Sequence, residues 1–203
     1  MRWYDPTPQS FELQMLVGAP YLLLCVFNRV LPTWVSRKAI HMGMGWMLLH
    51  SDVADARVRG AIHLVAWGFL ALVFASAFAD VAIWRHLRFL HAKRVDPGVT
   101  TYLLVCSACA ALGVRYVDMC PLFFADPMGA VVGRTLRTPR LVGNKTWGGT
   151  LAVWLTAALT WNDTNLASCA LGATLIAATE LFAGDYDNPC IAGILMVRAL
   201  VRA

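Results

Sequence analysis

The residues of this chain that could do chemistry stand in three short islands within long apolar sequence. The central island, Phe124 to Thr150, holds one carboxylate, Asp126, and four cations, Arg134, Arg137, Arg140 and Lys145. Glycines at 129, 133, 143, 148 and 149 interrupt it. The second island sets Glu180, Asp185 and Asp187 beside Asn188 and Pro189. The third, Arg37 to Gly45, places Arg37, Lys38 and His41 on one face of a helix, where residues three and four apart are neighbours. Carboxylate and amide oxygens are the hard donors that Mg²⁺ accepts. Cations and glycine-flanked backbone at a helix start suit anions. The inventory points to a phosphate-rich ligand carrying a metal ion.

Each residue also has a purely structural reading. Asp126 before Pro127 has the form of a helix N-cap followed by proline at the first helical position. Lys145 fits a snorkelling lysine, and Asp185 and Asp187 fit a solvated loop. Arg37 and Lys38 fit positive-inside anchors, while His41 suits a proton carrier or a phosphate donor. His50, His63, His86 and His91 have no comparable surroundings and read as structural. Glu180 is harder to explain this way, because Leu166 to Phe182 is otherwise free of charge and an acid in such a segment is expected to be functional. The run Gly143-Asn144-Lys145-Thr146 is not a P-loop: Asn144 separates glycine from lysine, and the upstream glycine spacing is wrong.

The elements that must position these groups are apolar. Of 203 residues, 59% are hydrophobic and only 14% charged, against about a quarter in a soluble domain. The expected fold is all-α, a single polytopic transmembrane domain over 1–203 with about seven segments. Apolar runs lie at about Phe11–Leu31, 40–50, Ala61–Ile83, Thr100–Val114, Cys120–Val132, Trp147–Trp161, Leu166–Ala183 and Ile191–Leu200. Several fall short of the ~20 residues a full span requires. A basic loop runs from Arg85 to Arg94, and Asp96-Pro97-Gly98 marks a turn. The first apolar run is too long for a signal peptide and lacks a clear cleavage site. Cys106 and Cys109, a lone CxxC within an apolar run, read as packing residues and not as a metal pair.

Alternating the segments puts the loops at 29–38, 85–94 and 134–145 on one face, with eleven of the seventeen Lys and Arg residues. That excess marks the face as cytoplasmic. Asp126, Lys145, Glu180, Asp185 and Asp187 come to the same face, so the polar site is expected there. The net charge of +5 is accounted for by short loops, and nucleic acid is not an expected partner.

The three islands, in this order, resemble the polyprenol kinase family, which includes phytol kinases, dolichol kinases and CTP-dependent diacylglycerol kinases. The resemblance is carried by Arg-Lys-x-x-His-x-x-x-Gly at Arg37–Gly45 and by Ala-Asp-Pro-x-Gly-x-x-x-Gly at Ala125–Gly133. It continues through Asn-Lys-Thr-x-x-Gly-Thr at Asn144–Thr150 to Glu180 and Asp187-Asn188. It spans about Arg37 to Ile194. The related CDP-diglyceride synthases carry a C-terminal Lys-Asp and Gly-His-Gly-Gly signature that this chain lacks.

What the resemblance implies is transfer of the γ-phosphoryl group of CTP to the hydroxyl of an isoprenoid alcohol or of diacylglycerol. It assigns Asp126 and Asp187 to Mg²⁺, with Glu180 as a further ligand or as the base on the hydroxyl, and Lys145 to catalysis. Phosphate and nucleotide contacts fall to Arg37, Lys38, His41, Gly129, Gly133, Asn144, Lys145, Thr146, Gly149 and Asn188. Expected partners are the lipid alcohol, the nucleotide, membrane lipids and a second copy of the chain. The expected location is the endoplasmic reticulum membrane in a eukaryote or the plasma membrane in a prokaryote. Two other readings stand beside this one. A cytidylyltransferase would make a CDP-lipid, and a transporter would place charges near the midplane between inverted repeats, which this sequence does not show.

Overall fold

The computed structural model describes residues 9–27, 31–78 and 96–202. The basic loop 85–94, with His86 and His91, and Arg29 lie outside the described residues. The chain is mostly helical, as expected, and forms two compact units, one over Thr7–Val114 and one built from Arg115–Ala203.

The first unit contains α1 (Phe11–Phe27), α2 (Thr33–Leu49), α3 (Ala56–Phe78) and α4 (Pro97–Leu112). Asp96 caps α4: its Oδ1 accepts from the Gly98 and Val99 amides at 2.9 and 3.3 Å, and Pro97 takes the first helical position. The expected turn at Asp96-Pro97-Gly98 is therefore a helix start, which the same residues also encode. Gly113 ends α4 in the left-handed region at φ 66°. Cys106 and Cys109 are buried thiols on α4, in keeping with a packing role. His63 meets Ser107 Oγ at 2.8 Å, and His50 Nδ1 lies 2.8 Å from the Trp46 carbonyl.

The second unit contains α5 (Cys120–Thr135), a short hairpin of β1 (Arg140–Val142) and β2 (Lys145–Thr146), α6 (Trp147–Thr160), α7 (Leu166–Phe182) and α8 (Asp187–Arg202). Two 3-10 turns, Tyr116–Met119 and Gly184–Tyr186, lead into α5 and α8. The antiparallel hairpin pairs Arg140 with Thr146 and Val142 with Lys145, with an irregularity between. Gly143 takes the first loop position at φ 53°, a conformation that favours glycine.

Helix α5 packs along α6, α6 along α7, and α7 along α8. The α5–α6 crossing is close because glycines face each other there. A Cβ on Gly149 would sit 3.0 Å from the Gly129 carbonyl oxygen and 3.2 Å from Gly133 Cα. The core of this unit is Met119, Leu122, Phe123, Val153, Ile176, Ile191 and Leu195, all nearly or fully buried.

One helix among the described residues, over Ala56–Ala75, is long and apolar enough to cross a membrane. Helices α4 and α7 are apolar but shorter. Large apolar side chains are nonetheless widely exposed, among them Leu64, Leu159, Leu166, Leu171 and Phe182.

Candidate functional site

Polar residues of the central and second islands meet inside the Arg115–Ala203 unit. Asp126 comes from the middle of α5, Glu180 from the last turn of α7 and Asp187 from the first residue of α8. One carboxylate oxygen from each lies within 4.8 Å of the other two. Asp126 and Glu180 are buried, and the Asp187 side chain is 14% exposed. Lys145, from β2, donates to Glu180 Oε1 and to Asp187 Oδ2, the latter at 3.3 Å.

Several placements follow from local sequence. Asp126 does not cap a helix: it lies within α5, with Pro127 also inside, so the N-cap reading is overturned. Helix α5 begins six residues earlier, at Cys120, with Pro121 in the N-terminal position that proline favours. Glu180 is buried in the last turn of α7, which runs on to Phe182, and Gly184 at φ 59° lies in the turn that follows. Asp187 is the N-terminal residue of α8, where a carboxylate is favoured by the exposed amides of a helix start. Asp185 is exposed beside the site, as a solvated loop residue would be.

When ionised, three carboxylates and one ammonium leave two negative charges uncompensated in a largely buried place. Glu180 Oε2 and Asn188 Oδ1 are also buried, with no hydrogen-bond partner among the described residues. Buried acceptors without donors are costly. The donor set, all hard oxygens with an excess negative charge, fits a divalent cation such as Mg²⁺. Burial alone would lower the Lys145 pKa, but the Glu180 and Asp187 carboxylates outweigh it and hold the ammonium above its ordinary value.

The start of α6 differs from the anion cradle expected there. Its first amides are already taken: Trp147 N–H donates to the Pro139 carbonyl at 3.1 Å, and Gly148 N–H to Thr138 Oγ1 at 2.9 Å. Gly149 N–H donates to Thr146 Oγ1 at 3.2 Å. Thr146 is thus a helix cap, and Gly129, Gly133 and Gly149 serve the α5–α6 approach. Asn144 lies exposed at the hairpin tip.

Arg37, Lys38 and His41 sit together on α2 in the other unit. Arg37 forms an ion pair with Asp96, the cap of α4. The His41 ring stands edge-on to Tyr102 at 4.5 Å, and the Tyr102 hydroxyl donates to the His41 carbonyl at 3.1 Å. Sequence reading missed Asp96 and Tyr102, because helix pairing and not spacing along the chain brings them to α2.

A second polar cluster went unrecognised at the start of α7. Asp118 accepts from Asn162 Nδ2 at 2.8 Å and from Arg115 at 3.2 Å. Arg198 donates to the Asn162 carbonyl at 2.7 Å and lies 4.2 Å over the Trp161 ring. Arg202 donates to the same carbonyl at 3.0 Å and pairs with Asp163. Hydrogen bonds from Ser168 and Arg202 hold the Asp163 carboxyl well below the usual carboxylate range. This network ties the ends of three elements together. Arg198, a cation within an apolar run, was the signal for it.

No family model, no curated protein and no solved structure matches this chain.

Proposed function

We propose that this chain is an integral membrane kinase that transfers the γ-phosphoryl group of CTP to the hydroxyl of a lipid alcohol. One observation carries the reading. Asp126, Lys145, Glu180 and Asp187, drawn from separate motif blocks up to 61 positions apart (187 − 126), converge in one buried acidic cluster. These are the positions at which the sequence resembles the polyprenol kinase family. CTP as donor and the isoprenoid alcohol or diacylglycerol as acceptor come from that resemblance alone. The extensive exposure of large apolar side chains supports a lipid setting, since such surface is uncommon on soluble monomers. In that setting about seven of the helices cross or enter the bilayer, the shorter ones slanted or covered by neighbours.

Asp126, Glu180 and Asp187 would hold Mg²⁺, with Asn188 Oδ1 as a nearby oxygen. Bound there, the ion supplies neutralisation of phosphate charge, the main demand of phosphoryl transfer besides positioning. Lys145 keeps the carboxylates in place at rest, and its partly exposed ammonium can turn to a phosphate oxygen. Transfer forms a bond between the lipid oxygen and the γ-phosphorus, breaks the bond to the β-γ bridging oxygen and releases CDP. The hydroxyl proton passes to a carboxylate, for which Glu180 Oε2 is an acceptor without a donor of its own.

The test is purified protein with labelled CTP and a panel of phytol, dolichol, shorter isoprenoid alcohols and diacylglycerol. The kinase moves the γ label into the lipid phase. Asp126→Asn should lower turnover on the order of 10²-fold or more while the protein still folds, as for other lost charge contacts in a transition state. Marking of the lipid by α-labelled CTP would replace this reading with that of a cytidylyltransferase. No transfer to any alcohol would end it.

A further inference from the structure

The hairpin that delivers Lys145 carries a second surface that the proposed chemistry does not use. No acidic residue occurs between Asp126 and Asp163, yet Arg134, Arg137 and Arg140 lie in that stretch, and all three are exposed. Exposed apolar side chains stand among them: Leu136 at 54%, Val142 at 40% and Trp147 at 58%. On β1, which is irregular between them, Arg140 and Val142 are exposed while Leu141 is half-buried. Lys145 on β2 is turned instead to the carboxylates of Glu180 and Asp187. Lys145 thus serves the cluster, while the solvent-exposed outer side of the segment from Leu136 to Trp147 mixes arginine, aliphatic and indole groups.

We infer that this outer side is a lipid-headgroup contact, with Arg137 and Arg140 on the phosphates of anionic lipids and Leu136, Val142 and Trp147 dipping into the interface. Arginine pairs with phosphate oxygens in a planar, forked geometry. Tryptophan favours the headgroup level of a bilayer, where one part of the ring is apolar and the other wet. A free nucleotide would use the arginines but would leave the three apolar side chains in water. An anionic bilayer surface satisfies both sets. The inference rests on the membrane placement proposed above, not on the kinase chemistry.

Hydrogen exchange of the hairpin amides in the full chain, held in lipid nanodiscs, tests it. Exchange over residues 134–147 should slow when anionic phosphatidylglycerol replaces part of a neutral phosphatidylcholine bilayer, and high salt should reverse the effect. Each arginine near an anionic surface contributes about fivefold in partition. Arg137→Gln with Arg140→Gln should thus weaken the response on the order of 30-fold, while Lys at both positions should keep most of it. Equal exchange in neutral and anionic discs would overturn the inference. So would protection by CTP in neutral discs that the double Gln variant loses, which would assign the arginines to the nucleotide. Release of the chain from its native membrane by alkaline carbonate would remove the membrane placement itself, and the headgroup contact with it. Protection by anionic lipid in a chain that phosphorylates no alcohol would uphold the contact and sink only the kinase reading.

Discussion

Lys145→Met is the sharpest probe of the acidic cluster. The change keeps length and removes the ammonium that bonds both Glu180 and Asp187. At 4.8 Å two full negative charges repel by about 3.5 kcal/mol at an effective dielectric near 20. Three such groups cannot stay charged together without a cation. Losing one partner of a buried ion pair costs about 3–5 kcal/mol. Lys145 keeps 33% of its side chain exposed, and water screens part of that, so about 2–3 kcal/mol remains. In a chain of this length that corresponds to a fall of roughly 5–10 °C in Tm. The assay is thermal unfolding in detergent, with chelator and with excess Mg²⁺. Lys145→Met should unfold early in chelator and gain more from Mg²⁺ than the wild type does, because a ligand that binds only the folded state stabilises it. Adding Asp126→Asn to Lys145→Met should return part of the loss in chelator, since one of the three charges is gone. Equal unfolding of Lys145→Met and wild type in chelator would refute the electrostatic account, as would a further fall on adding Asp126→Asn.

Two further predictions concern the scaffold. A Cβ on Gly129 would lie 2.4 Å from Val153 Cγ2, so Gly129→Ala should force α5 from α6 and cost about 1–3 kcal/mol. Adding Val153→Ala should restore part of that stability, and unchanged unfolding in Gly129→Ala would show the crossing to be looser than described. Asn162 belongs to a glycosylation sequon, but its Nδ2 donates to buried Asp118 and its carbonyl is held by Arg198 and Arg202. It should stay unmodified in a glycosylating membrane, and Asn162→Ala should cost about 1–3 kcal/mol by leaving Asp118 a donor short. A sugar found on Asn162 in the folded, purified protein would contradict the network. Asn144, exposed at the hairpin tip, is the sequon whose state reports the side of the membrane: a sugar there would reverse the cytoplasmic assignment.

The apolar runs of the sequence correspond closely to the helices. Trp147 and Leu166 begin α6 and α7 where expected, and α5 starts at Cys120. This much is legible locally, because apolar runs of about ten or more residues are longer than ordinary strands and read as helices. Where polar residues border a run, the boundaries shifted. Helix α2 starts at Thr33 and takes in Arg37 and Lys38, and α8 starts at Asp187 and takes in Asn188 and Pro189. Hydropathy is blind to a polar first turn, whereas helix geometry accepts it readily.

The sequence by itself drew attention to Asp126, Lys145, Glu180 and Asp187, the residues that cluster, because Glu180 stands in an apolar run otherwise free of charge. It could not say what those residues touch. The alternatives for Asp126, cap or ligand, differ only in whether α5 begins at that residue or six earlier, and Pro121 and Pro127 are both compatible with a start. The packing of Phe123 and Leu122 into the core decided for Cys120. In the same way, the glycines at 129, 133 and 149 suggested phosphate, and their tertiary role is the close crossing of α5 and α6. A glycine permits close approach without specifying what approaches. Lys145 likewise carried a charge whose partner no spacing rule supplies. Its pairing with Glu180 and Asp187, 35 and 42 residues away, exists because α7 and the turn at Gly184 bring those carboxylates to the hairpin. Local sequence selects residue types and helix faces, while the meeting of charges depends on which helices pack together, and only the folded unit determines that.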